Sequence, residues 1–64
     1  MKRRVLEQHL RNCGCRLVRE GTKHGVWENP MNGAMATVPR HTDIDSYLAR
    51  KICKELGVEY SRGR

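Results

Sequence analysis

The chain predicts an α+β fold of order α-β-β-β-α: a two-layer sandwich in which a three-stranded antiparallel sheet carries both helices on one face. Three observations predict it. Apolar residues recur at helical spacing at both ends, the middle breaks into three short strand-like segments, and Gly or Pro stands at most junctions.

The first helix is expected over residues 3–13, where Val5, Leu6, Leu10 and Cys13 form an apolar stripe and Gly14 stops it. Residues 15–20, partly β-branched and bounded by Gly14 and Gly21, suit a strand. Gly21-Thr22 makes a tight connection to a second strand over 24–28. In the Asn29-Pro30-Met31-Asn32-Gly33 segment that follows, Asn-Gly signals a two-residue hairpin turn, because both residues tolerate positive φ. A third strand over 34–38 ends at Pro39, which has no N–H for the ladder. Beyond it Ile44, Leu48, Ile52 and Leu56 are spaced by four, with Ala49 and Cys53 beside them. Thr42 or Asp43 is expected to cap this second helix and Gly57 to end it. Residues 1–58 then form one domain, and 59–64 are expected to be a disordered tail.

Sixty-four residues allow one domain, which at this size buries only about 60% of the surface of its unfolded chain. A substrate domain plus a cofactor domain is excluded. No apolar run approaches the roughly 20 residues of a membrane span, and Met1-Lys2-Arg3-Arg4 is not followed by the apolar core of a signal peptide. The cysteines, Cys13, Cys15 and Cys53, are odd in number and lack the second close pair of a zinc site, so reduced thiols in a soluble cytoplasmic protein are expected. No metal and no cofactor is expected.

The net charge is +6, and its excess lies at the front: residues 1–20 hold six basic and two acidic residues, 21–40 two and one, 41–64 five and four. Lys2, Arg3 and Arg4 open a helix whose macrodipole prefers anions at that end. A polyanionic partner is the simplest reason for cations there, since Lys and Arg neutralise phosphates and release counterions.

Most enzyme templates fail. Neither Ser46 nor Ser61 lies in a Gly-x-Ser-x-Gly elbow, there is no Gly-rich phosphate loop, and Asp43 and Asp45 diverge on a helix start. Histidine remains. His9 borders the apolar stripe of the first helix. His24 stands at a loop-to-strand junction beside Lys23, and His41 follows Arg40 where the third strand exits; imidazole and guanidinium there can hold phosphate together. RNA brings its own nucleophile, the ribose 2′-OH, so a ribonuclease needs only in-line positioning, a proton donor or acceptor and cations. Trp27, the only Trp in a chain without Phe, can stack on a base or fill the core, and alternation alone leaves its sheet face open.

Gly21-Thr22-Lys23-His24, Thr37-Val38-Pro39-Arg40-His41 and Leu48-Ala49-Arg50-Lys51-Ile52 with Leu56-Gly57-Val58, in this order, resemble the HicA family of type II toxin-antitoxin mRNA interferases over about residues 2–58. The resemblance implies a fold similar to double-stranded RNA-binding domains. It also implies metal-independent cleavage of mRNA and neutralisation by a HicB-type antitoxin. It places the catalytic histidine at His24 and gives Arg40 and His41 a supporting role. Thr22, Lys23, Arg40, His41 and the basic start Lys2, Arg3 and Arg4 are the residues expected to hold RNA. Gly25 departs from the apolar residue that many members carry after the histidine. Two other readings stay open: a non-catalytic RNA-binding module, against which Asp43 and Asp45 at the second helix start count, and a small basic protein that binds only an acidic partner.

Overall fold

Trp27 decides which face of the sheet is inside. In the computed structural model, which describes residues 1–60, its side chain is fully buried. The elements are α1 (Arg3–Asn12), β1 (Arg16–Glu20), β2 (His24–Asn29), β3 (Ala34–Pro39) and α2 (Ser46–Leu56). The strands run β1-β2-β3 in one antiparallel sheet. From β2 and β3, Trp27, Ala36 and Val38 meet Leu6 and Leu10 of α1 and Ala49, Ile52, Cys53 and Leu56 of α2 in one core. Both helices therefore cover the same face, as the sequence predicts. Burying roughly 200 Å² of Trp surface at about 25 cal/mol per Å² contributes about 5 kcal/mol, a large share of what so small a core can supply. No helix among the described residues is long and apolar enough to cross a membrane.

The second helix begins later than its apolar period suggests. Thr42 and Asp43 do not cap it; Asp45 does, its carboxylate accepting from the Tyr47 N–H at 3.1 Å. The cause lies at the other end of the chain. Met1 and Ile44 exchange hydrogen bonds at 3.0 and 2.7 Å, and Lys2 bridges Asp43 in antiparallel fashion, so this segment is tied to the N-terminus before helix can start. Gly57 ends α2 at φ 72°, the left-handed cap that glycine takes without steric cost.

The turn between β2 and β3 also differs from expectation. Asn29 pairs with Ala34, leaving a four-residue loop in which Gly33 alone takes positive φ, so Asn32-Gly33 is not a two-residue turn. Side-chain bonds select this form. Asn29, buried, accepts from the Met31 N–H at 3.0 Å and donates to the Leu56 carbonyl at 2.8 Å, and Asn32 accepts from the Ala34 N–H at 2.8 Å. The loop thus satisfies a carbonyl at the C-terminus of α2 that the helix cannot satisfy itself.

Cys15 and Cys53 are buried thiols and Cys13 is half-buried; all three are free. The expected tail over 59–64 extends into residues 61–64, outside the described residues. Tyr60 packs partly buried on the core.

Candidate active site

His24 is the first residue of β2 and pairs with Pro39, the last of β3. Strand alternation turns Gly25, Trp27 and Asn29 toward the helices and leaves His24, Val26 and Glu28 on the open face. His24 is exposed there. It lines a recess of about 380 Å³ together with Arg19, Gly21, Thr22, Lys23 and Val26.

The loop that carries it is held from both sides. The Gly21 N–H donates to the His24 carbonyl at 2.8 Å, a closure so tight that a Cβ on Gly21 would stand 3.1 Å from that oxygen. On the other side the Arg40 N–H donates to the Lys23 carbonyl at 3.1 Å. The Arg40 guanidinium reaches the Gly21 carbonyl at 3.4 Å and pairs with Glu20 at 3.4 Å. The segment Gly21 to His24 and the segment Pro39 to His41 are therefore one structural unit.

Arg19 enters this recess through an irregularity in β1. Leu17 pairs with Trp27, so an unbroken ladder would set Arg19 opposite Gly25, on the helix side. Instead the register shifts between Leu17 and Arg19, and Arg19 pairs with Val26. Paired residues share a face, so the bulge brings Arg19 to the open side with His24. The sequence gives no local signal for this, and Arg19 is absent from the expected site for that reason. Gly25 has a related use: a Cβ there would lie 3.1 Å from Leu17 Cδ1, so glycine lets the Leu17 side chain lie across the sheet.

The basic start of the chain sits at the same end of β3, reached through residues 40–44. The Arg3 N–H donates to the Thr42 carbonyl at 2.8 Å, and Lys2, Arg3, Arg4 and Thr42 line a second recess of about 270 Å³. His41 is exposed between the two recesses in sequence. Lys2 pairs with Asp43 at 3.6 Å and Arg3 with Glu7 at 4.0 Å, whereas Lys23 and Arg4 have no acidic partner among the described residues. The Lys2–Asp43 pair is exposed, contributes about 0–1 kcal/mol and yields readily to a phosphate, whereas Arg3 and Glu7 are half-buried. Trp27 takes no part: it is in the core, with the Arg11 guanidinium 5.1 Å from its ring centre. Among the described residues no three His, Cys, Asp or Glu side chains converge on a point that can hold a metal ion.

Fold and site define a small basic α+β domain that mounts a solvent-open histidine among cations at one end of an uncovered sheet face. The family model described as HicA toxin of bacterial toxin-antitoxin matches residues 3–58, and the chain belongs to that family. It is thus a toxin of a toxin-antitoxin system, and an antitoxin is its implied partner. No curated protein and no solved structure matches the chain.

Proposed function

We propose that this toxin is a metal-independent endoribonuclease that cleaves mRNA, with His24 as general acid or base, and that a HicB-type antitoxin neutralises it. The observation that carries the reading is the exposed His24 at the rim of a recess with Arg19 and Lys23, in a chain of the HicA family.

The chemistry asks little of so small a protein. The ribose 2′-OH loses its proton and attacks the neighbouring phosphorus, the P–O5′ bond breaks, and the 5′ oxygen leaves with a proton. The products are a 2′,3′-cyclic phosphate and a 5′-hydroxyl. Histidine, the side chain that titrates nearest neutral pH, serves either proton transfer, worth typically about 10²–10⁴-fold. Arg19 and Lys23 stand where charge on the phosphorane develops, while Thr22, Arg40 and His41 position the adjoining backbone. Lys2, Arg3 and Arg4 hold RNA further along.

Incubation with mRNA in excess EDTA, followed by mapping of the product ends, tests this reading. Cleavage yielding cyclic phosphate and 5′-hydroxyl ends is expected. Cleavage that requires added magnesium, or that leaves 5′-phosphates, removes the mechanism.

A further inference from the structure

We infer that the outward face of α2 is a second binding surface for single-stranded RNA, on the far side of the sandwich from His24, where Tyr47 stacks a base and Arg50, Lys51 and Lys54 neutralise phosphates. This rests on the proposal that RNA is the substrate.

The spacing of these residues is i, i+3, i+4 and i+7, so they share one face of the helix, opposite the buried Ala49, Ile52, Cys53 and Leu56. They line, with Glu55, a groove of about 650 Å³. Tyr47 is 74% exposed, so its ring is open to stacking. The macrodipole accounts for Lys54 in the last turn of α2 but not for Arg50 and Lys51, which lie before that turn.

Like Arg4 and Lys23, the cations of this face are free of ion pairs among the described residues. Lys2, Arg3, Arg16 and Arg40 each have a carboxylate within 4.0 Å. Among the described residues Arg50, Lys51 and Lys54 have none, although Glu55 lies on the same groove. The Arg50 guanidinium rests instead over the Tyr60 ring, 5.4 Å from its centre, which fixes its direction without consuming its charge. Three uncompensated cations beside an exposed ring are what an RNA single strand requires: charge along its backbone and a flat apolar surface for a base. An acidic protein segment would use the cations but not the ring, so the ring favours RNA.

The two surfaces belong to opposite layers of a thin sandwich. The sandwich is 16 Å across its shortest Cα dimension, and residues 40–45 run from the end of β3 to the first turn of α2. The recess of Lys2, Arg3 and Arg4 includes Thr42 of this connecting segment, so cations stand along it.

Fluorescence anisotropy with a labelled, uncleavable 2′-O-methyl oligonucleotide tests the inference across a salt series. The variants are the triple substitution Arg50→Gln, Lys51→Gln, Lys54→Gln, and the pair Tyr47→Ala and Tyr47→Phe, all at exposed positions and checked for unchanged circular dichroism. Three fewer phosphate contacts lower the log-log salt slope by about 2. Tyr47→Ala is expected to weaken binding roughly five-fold or more, and Tyr47→Phe to restore it, since stacking needs the ring and not the hydroxyl. Binding by the wild type with an unchanged slope in the triple variant overturns this inference alone. So does RNA binding indifferent to Tyr47 while polyglutamate competes for the three cations, which assigns the face to an acidic protein. No RNA binding by the wild type overturns it together with the substrate reading.

Discussion

The Arg40 N–H donates to the carbonyl of Lys23 at 3.1 Å, joining the residue before His24 to the residue before His41. Because His24 opens β2 where Pro39 closes β3, one backbone bond fixes the loop that aims the histidine relative to the segment that carries Arg40. Substitutions that free the Arg40 side chain leave this bond intact and therefore change charge more than shape.

Glu20→Gln separates the two. Glu20 holds the Arg40 guanidinium in an exposed pair at 3.4 Å, and its removal frees Arg40 and raises the net charge by one. RNA affinity is expected to rise several-fold, while stability to urea changes by less than about 1 kcal/mol. Weaker binding would mean that the pair orients Arg40 rather than occupying it.

Arg19→Gln tests the consequence of the bulge in β1. If Arg19 meets developing charge beside His24, single-turnover cleavage falls roughly ten-fold or more while binding to uncleavable RNA weakens much less. Equal losses in rate and affinity would make Arg19 a backbone-binding cation only.

Trp27→Ala is expected to cost about 3–5 kcal/mol, close to the whole stability of a chain of this size, which at about 0.05–0.15 kcal/mol per residue is of the order of several kcal/mol. Urea unfolding followed by circular dichroism measures it. In the wild type, added RNA should leave Trp27 fluorescence unquenched, because the ring has no exposed surface.

Burial, with repulsion from the neighbouring cysteines as a smaller contribution, raises the Cys15 and Cys53 thiols above their ordinary value. The unfolded chain then loses these protons at lower pH than the folded one. The stability they contribute is present below about pH 9 and lost as pH rises above it. Urea midpoints from pH 7 to 10 should decline at the alkaline end, and replacement of both residues by alanine should remove that part of the decline.

How much of this was legible in the sequence depended on the range of the interactions. Period and punctuation sufficed for the five elements, because Leu6, Leu10, Ile52 and Leu56 bury themselves through helical spacing alone. The cap of α2 falls at Asp45, later than the apolar period indicates, because Met1 and Ile44, far apart in sequence, bond to each other and delay the helix. Asn32-Gly33 failed as a two-residue turn for a similar reason: Asn29 and Asn32 bond to Leu56 across the molecule. At the site, Gly21, Lys23 and His24 were visible as a local cluster, whereas Arg19 depended on a register shift that no short pattern encodes.

The proton transfer proposed for His24 is tested by the single-turnover rate of RNA cleavage in EDTA by the wild type and by His24→Ala. Because the side chain is exposed, the variant should keep its circular dichroism and its affinity for uncleavable RNA, while its rate falls by about a hundred-fold or more. Equal rates for the two proteins would contradict the account.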